Sequence, residues 1–175
     1  MSVEVFADDP NEIYLQAKKI KGWSKSLYVK IPIVNTKGLI LSKIIKKLNY
    51  EKIKINITAV FTLNQLKKIK LSINKKTPVI ISIFSGRIAD NGINPEILIK
   101  KSIKLFKNFN NVKILWASTR EVFNYYQAKR CGCHIITMGP KFIEKLKSKK
   151  ITLNNYSINT VKQFYSDGKK SKFKI

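Results

Sequence analysis

The feature that most constrains the fold of this chain is a regular alternation of short apolar runs with amphipathic segments. Six strand-like runs recur roughly every 20 to 35 residues, a spacing typical of βα units. They lie near Ser2–Phe6, Leu27–Lys30, Ile53–Val60, Pro78–Ser82, Val112–Ala117 and His134–Thr137. Strands that alternate with helices predict a parallel sheet with helical crossovers. The pattern alone is compatible with an open doubly wound sheet and with a barrel.

Capping residues and apolar periodicity predict a helix after each strand and a last helix near the end of the chain. Asp9 precedes Pro10 and Glu12 in the order of an N-cap, a first-turn proline and a capping-box glutamate. The other helices are predicted over Leu41–Leu48, after Thr62, after Asn94, and around Val122–Tyr126, Phe142–Leu146 and Ile158–Tyr165. We expect one domain over residues 1–167 and a basic, frayed tail over 168–175.

Composition predicts a folded globular protein. The chain has 175 residues, enough for one domain with a substantial core, and 44% of them are hydrophobic. It shows no secretory-type apolar segment at its amino terminus and no apolar run of about 18 residues. The expected location is therefore the cytoplasm, and no membrane partner is expected.

The net charge of +25 raises the question of a nucleic-acid partner. Of 35 basic residues only Arg87, Arg120 and Arg130 are arginine, the residue that base and phosphate sites favour for its bidentate geometry. The chain is also rich in Ile and Asn, which share A/T-rich codons with Lys, so a nucleotide bias of the genome accounts for the lysines. We assign most of them to solvated helix faces and expect no nucleic-acid partner. The positive surface should still attract anionic sugar phosphates and, at low salt, nucleic acid.

Motifs for a metal or a nucleotide are weak or absent. Cys131 and Cys133 lie next to His134, the one histidine of the chain, and no second Cys/His cluster supplies the further ligands that a metal needs. We therefore expect no metal and interpret the three residues as structural. Neither G-x-G-x-x-G nor G-x-x-x-x-G-K-[ST] occurs in the sequence, which leaves dinucleotide and P-loop sites without support.

A single lysine interrupts the most apolar strand. In Leu27–Pro32 the other residues are apolar or aromatic, so we expect this strand to be buried on both faces, with Lys30 near its end. A lysine amine held there is partly desolvated, which makes the neutral amine available for Schiff-base chemistry. The alternative is a lysine that extends its stem along apolar surface and keeps its charge in water.

Polar residues follow the apolar part of each strand after the first helix. They are Lys30, Asn56, Thr58, Ser82, Ser118 and Thr137. The carboxyl ends of parallel strands line the active mouth of a (β/α) barrel. Because side chains alternate along a strand, Asn56 and Thr58 should share one face, the barrel interior, where polar groups are costly without partners or a function.

Two loops after strands have the composition of an anion site. Ser85, Gly86 and Arg87 follow the fourth strand and offer a flexible backbone with a guanidinium. Segment 118–120 follows the fifth strand, with two hydroxyls at a predicted helix start and Arg120 beside them. Together the loops predict a phosphate site at the mouth of a barrel.

Four segments of the chain resemble, in order and at compatible spacing, conserved blocks of the transaldolase family. They are Val29–Pro32, Asn56–Thr62, Ser82–Arg87 and Ala117–Arg120. The likeness extends from about Ser2 to Tyr165 and is closest to the small branch shared with fructose-6-phosphate aldolases. It implies an α/β fold of the (β/α)8-barrel type and transfer of a dihydroxyacetone unit between ketose and aldose phosphates.

The resemblance also assigns catalytic roles. Lys30 matches the family's Schiff-base lysine on the fourth barrel strand, whose iminium serves as the electron sink, and no cofactor is expected. Glu4 matches a third-strand glutamate that, with the position of Thr58, holds a water for proton relay. Asn56 matches an asparagine that contacts the bound carbonyl unit.

Substrate contacts follow from the same resemblance. The matching ligands of substrate hydroxyl and phosphate groups are Ser82, Arg87, Ser118 and Arg120. Phe84 stands where transaldolases have Phe and fructose-6-phosphate aldolases have Tyr, which favours transfer over aldol cleavage. The implied setting is the pentose phosphate pathway, although the residues would equally suit a modified sugar.

The sequence also departs from the family pattern. It begins at the family's third strand, so two βα units, an acid/base aspartate and an asparagine have no counterpart, and Ile83 replaces a proline. Six strands would leave open edges. Three explanations are compatible with this: a late start or a broken gene, missing units supplied by a second chain or by exchange in a homo-oligomer, and an inactive fragment that serves as a binding module.

Overall fold

The computed structural model describes residues 1–148 and 150–171 and contains one six-stranded sheet. All neighbouring strands are parallel, and their order in the sheet is their order in the chain. The strands are β1 (Ser2–Glu4), β2 (Tyr28–Pro32), β3 (Ile55–Val60), β4 (Val79–Ile83), β5 (Val112–Trp116) and β6 (Ile135–Ile136). The sheet curls into a half-barrel with β1 and β6 at its edges, which confirms the predicted α/β fold of the barrel type with six strands.

Eight helices are present among the described residues. They are α1 (Pro10–Trp23), α2 (Ser42–Tyr50), α3 (Leu63–Ser72), α4 (Ser85–Asp90), α5 (Pro95–Leu105), α6 (Phe123–Arg130), α7 (Pro140–Lys147) and α8 (Leu153–Ser171). None of these helices has the length and apolar character needed to cross a bilayer.

The predicted helix starts are confirmed where a side chain caps the first turn. Asp9 Oδ1 accepts hydrogen bonds from two backbone amides at the start of α1, at 2.8 and 3.2 Å. At the start of α3, Thr62 and Gln65 exchange backbone and side-chain bonds in a complete capping box. Such caps satisfy amides that have no partner inside the helix, so local sequence is sufficient to place these ends.

Three local predictions differ from the structure. The segment expected to be a flexible loop, beginning at Ser85, is the short helix α4, because Ser85 and Ile88 are buried against the sheet. Helix α6 begins at Phe123, so the hydroxyls of residues 118 and 119 do not lie at its start. Helix α8 continues to Ser171, past the predicted boundary at 168, and residues 172–175 of the predicted tail lie outside the described residues.

The core lies between the helices and the outer face of the sheet. Alternate residues of the strands point into it and are fully or almost fully buried: Val29, Ile31, Ile55, Ile57, Val79, Ile81, Ile83, Ile114 and Trp116. Each such side chain stabilises the fold by about 1.5–3 kcal/mol relative to exposure.

The prediction that β2 is buried on both faces is wrong. Val29 and Ile31 are buried, whereas Tyr28, Lys30 and Pro32 on the inner face are only partly buried. The inner face of the half-barrel opens into a cleft instead of packing against a second layer. Lys30 also lies in the middle of β2, since pairing with β3 continues to Pro32.

Candidate active site

Strand register brings the predicted catalytic residues together on the inner face of the sheet. Glu4 is the register partner of Lys30 across β1 and β2, and Lys30 is the register partner of Asn56 across β2 and β3. A cleft of about 650 Å³ opens on this face. Seven of the nine predicted site residues line it, namely Lys30, Asn56, Thr58, Ser82, Phe84, Arg87 and Ser118.

Lys30 and Glu4 form an ion pair at the edge of the cleft. Lys30 Nζ donates to Glu4 Oε2 at 3.0 Å. Relative side-chain exposure is 29% for Lys30 and 45% for Glu4, so the lysine is partly desolvated while its carboxylate partner faces water. The pair places a proton acceptor within direct reach of the amine.

A buried hydrogen-bond chain fixes the orientation of Asn56. Ser82 Oγ donates to Asn56 Oδ1 at 2.7 Å, and Asn56 Nδ2 donates to Ser2 Oγ at 3.0 Å. Asn56 and Ser82 are both buried, so these bonds hold the amide in one orientation beside Lys30. Ser2 was absent from the predicted site, although its position two residues before Glu4 on one strand puts both on the same face.

Thr58 presents a buried hydroxyl that has no hydrogen-bond partner within the described structure. The residue is 2% exposed, and Oγ1 lies on a side chain that lines the cleft. The register between β3 and β4 shifts between Ile57 and Val60, and Ala59 has a φ of 55°. Such an irregularity reorients nearby side chains. Because a buried hydroxyl without a partner is costly, this atom is suited to bind a water or a substrate group.

Arg87 extends over the ring of Phe84 at the cleft. Its guanidinium carbon lies 5.3 Å from the ring centroid of Phe84, and the Phe84 and Phe61 centroids are 5.6 Å apart. Both Arg87 and Phe84 line the cleft. A cation over an aromatic face is stabilised and still has donors free for an anion.

Arg120, in contrast, does not line the cleft. Its Nε lies 3.1 and 3.2 Å from the carboxylate oxygens of Asp90, and Nη2 lies 2.6 Å from Asp90 Oδ2. The Arg120 guanidinium holds the pKa of Asp90 below its usual range and is itself raised in pKa by that carboxylate. The backbone of Arg120 is fixed as well, because its amide donates to Asn124 Oδ1 at 2.8 Å.

Cys131, Cys133 and His134 make their hydrogen bonds within the chain. Burial raises the pKa of both thiols, to about 11 for Cys131, and His134 Nδ1 accepts a bond from the Ile114 amide at 3.0 Å. Within residues 1–148 and 150–171, no group of three or more potential metal ligands comes together.

Comparison with known proteins shows the family. The family described as Transaldolase/Fructose-6-phosphate aldolase matches residues 1–175. The chain belongs to this family. A probable transaldolase of Herpetosiphon aurantiacus is 31% identical over 153 residues, covering 87% of this chain and 66% of the relative. A probable transaldolase 2 of Listeria monocytogenes is 32% identical, also covering 87% of this chain and 66% of the relative.

A third relative aligns over the entire chain. The probable transaldolase of Thermoanaerobacter sp. is 28% identical over 176 residues, which covers 100% of this chain and 76% of that protein. The chain thus spans about two thirds to three quarters of the length of these curated relatives. Among solved structures, a FabK mutant from Thermotoga maritima aligns over 77% of this chain and 51% of its own, with a TM-score of 0.38 and 14% identity. This likeness is too distant to bear on function.

Proposed function

We propose that this chain carries the Schiff-base site of a transaldolase-type enzyme, with Lys30 as the nucleophile. The observation that carries the proposal is the Lys30–Glu4 ion pair, at 3.0 Å, on the inner face of the half-barrel. The chain that holds this pair belongs to the family. The proposed substrates are ketose and aldose phosphates, which the family description supports. The proposed setting is pentose phosphate metabolism in the cytoplasm.

The reaction begins when the Lys30 ammonium transfers a proton to Glu4. The neutral amine attacks the C2 carbonyl of the ketose, Glu4 returns the proton to the hydroxyl that leaves as water, and a protonated iminium remains. Cleavage of the C3–C4 bond sends its electron pair into the iminium, while the proton of the C4 hydroxyl passes through a bound water to the Glu4 carboxylate, which later returns it to the new C–O⁻ group. An aldose leaves, and the remaining enamine attacks the carbonyl carbon of an acceptor aldose. Hydrolysis of the new iminium then frees Lys30.

The residues around Lys30 supply positioning and proton transfer. The free Thr58 hydroxyl and the exposed Glu4 carboxylate are suited to hold one water between them as the proton carrier. Asn56, held by Ser82, presents its amide to the bound three-carbon unit. Fixed donors of this kind need no rearrangement during the reaction.

Arg87 and Ser118 supply the phosphate contacts. Both line the cleft, and Arg87 extends from the first turn of α4 with donors available. The guanidinium suits a phosphate because its planar array of donors can bind two oxygens at once.

The residue at position 84, a phenylalanine, favours transfer over simple aldol cleavage. The Phe84 ring, in contact with Phe61 and the Arg87 guanidinium, carries no hydroxyl that could activate water against the enamine. The bound three-carbon unit should therefore persist until an acceptor aldose arrives.

The form of product release tests this proposal. With fructose 6-phosphate alone, a transferase releases one equivalent of aldose phosphate per site and stops, whereas addition of a second aldose phosphate restores turnover. Steady accumulation of free dihydroxyacetone without an acceptor would show cleavage instead. No aldose release by folded protein would contradict the proposed enzyme activity. Lys30→Met should abolish the burst, and Lys113→Met, which removes an exposed lysine of β5, should retain it.

A further inference from the structure

Asp90 pairs with Arg120 and lies on the same short helix as the cleft-lining Arg87. It ends α4, one turn after Arg87, and forms the bidentate pair with Arg120. Both arginines act on the Asp90 carboxylate, since Arg120 is the larger and Arg87 a smaller cause of its lowered pKa. An anionic group already built into the chain therefore occupies the field of both guanidinium groups.

The backbone and the first part of the Arg120 side chain are held beside the start of α4. Its amide is anchored on Asn124, and the adjoining Glu121 amide donates to the same oxygen at 3.2 Å. Its Cγ lies 3.1 Å from the place where a Cβ on Gly86 would stand, so the aliphatic stem lies along the start of α4. Backbone and Cγ are thus fixed beside α4, and the contact that fixes the guanidinium itself is the pair with Asp90.

A substrate phosphate and the Asp90 carboxylate compete for the same donors. A guanidinium that binds a carboxylate through Nε and Nη2 presents that edge to no other anion. Of the two arginines, Arg87 alone is then available to a phosphate in the cleft until the Asp90 pair opens. The pair is about half exposed on both sides, so a dianionic phosphate can displace it at modest cost.

We propose that Asp90 is a specificity-determining residue that weakens phosphate binding by holding Arg120 away from the cleft. This inference rests on the proposed sugar-phosphate site and adds a residue that limits its affinity. It accounts for the position of Arg120 outside the cleft although the sequence around it resembles a substrate-binding block. The consequence is a weaker preference for phosphorylated over unphosphorylated ligands than two free arginines would give.

Calorimetric titration with sorbitol 6-phosphate and with sorbitol tests the proposal. These ligands have no carbonyl, so the result is independent of Schiff-base chemistry, and the proposed function can fail separately. We expect Asp90→Asn to tighten sorbitol 6-phosphate binding about 3- to 10-fold and to leave sorbitol binding unchanged. The gain should shrink in high salt because the interaction is exposed to solvent.

Two further variants make the result specific to the pair. Arg120→Met in the Asp90→Asn background should remove the gain. Glu121→Gln, which removes an equal charge from the neighbouring loop, should change binding less than twofold. Weaker or unchanged sorbitol 6-phosphate binding in Asp90→Asn would overturn the proposal, because Asp90 would then orient Arg120 or be irrelevant to it. An equal gain in Glu121→Gln, or a gain that survives Arg120→Met, would overturn it as well.

Discussion

The carbonyl oxygen of Ser118 lies so close to Gly86 that a Cβ built on Gly86 would stand 1.6 Å from it. This contact joins the start of α4 to the loop after β5, the two segments that carry Arg87 and Arg120. Ser118 adopts a φ of 64°, in the left-handed region that is uncommon for a residue with a side chain. This side of the cleft thus depends on a glycine for close approach and not for flexibility.

Gly86→Ala should therefore destabilise the protein. The added methyl meets backbone, which cannot move aside as a side chain can, and overpacking of this kind costs about 1–3 kcal/mol. Urea unfolding measures the loss. Gly22→Ala in α1 is the matched control, since no atom lies within 4 Å of its Cβ position and alanine favours a helix by about 0.5–1 kcal/mol. Equal effects of the two substitutions would contradict the proposed role of the close approach.

Glu4→Gln should slow Schiff-base formation. In the proposed mechanism the carboxylate, 3.0 Å from the amine, accepts the proton that Lys30 loses. General acid–base groups contribute about 10²–10⁴-fold in rate. The rate of borohydride trapping with fructose 6-phosphate is the measurement. Glu12→Gln, in the exposed first turn of α1, serves as the charge-matched control. If the Glu4→Gln variant is trapped by borohydride at the same rate as the unaltered protein, Glu4 takes no part in proton transfer.

Arg87→Ala should weaken the binding of phosphorylated ligands far more than the binding of unphosphorylated ones. Charge-assisted bonds contribute about 1.5–3 kcal/mol each, which corresponds to a loss of about 10- to 150-fold for sorbitol 6-phosphate. Binding of sorbitol measured in parallel supplies the internal comparison. Equal losses for the two ligands would remove Arg87 from the phosphate site.

A buried carboxylate on α5 should make stability depend on acid pH. Glu96 is almost fully buried, accepts bonds from Arg130 and Gln127, and joins α5 to α6. The Arg130 guanidinium is the main cause that lowers the pKa of Glu96 from 4.5 to about 2. A folded-state pKa below the unfolded value gives stability that is fully present above about pH 4.5 and is lost as the pH falls toward 2.

Glu96→Gln tests this dependence. We expect the variant to be less stable than the unaltered protein by about 1–3 kcal/mol at pH 6, because a charge-assisted bond is lost. The difference should shrink between pH 4.5 and 2.5. Urea midpoints at a series of pH values measure it, with Asp167→Asn on the exposed face of α8 as the control. A difference that stays constant with pH would mean that Glu96 ionisation does not support the fold.

Sequence alone predicted the features that local rules determine. Strand positions followed from apolar runs, and the starts of α1 and α3 followed from Asp9 and Thr62, whose side chains satisfy amides a few residues away. The cleft-facing positions of Asn56 and Thr58 followed from the two-residue period of a strand. These predictions needed no information about distant residues.

The remaining features depend on contacts between residues far apart in sequence. Gly86 suggested a loop, although its use is the approach of Ser118, 32 residues later. Asp90 and Arg120 are 30 residues apart, and no local pattern indicates that they pair. The partial exposure of the inner face of β2 follows from the curvature of the sheet, which an apolar run does not encode.

Mass spectrometry after borohydride reduction tests the central claim most directly. The folded protein is incubated with fructose 6-phosphate and reduced, and its intact mass and then its peptides are analysed. We predict a single adduct per chain, mapped to Lys30. The adduct should be absent from Lys30→Met and retained in Lys113→Met, and both variants should unfold at a midpoint close to that of the unaltered protein. Absence of an adduct from folded protein, or an adduct on a lysine outside the cleft, would contradict the assignment of Lys30 as the Schiff-base residue.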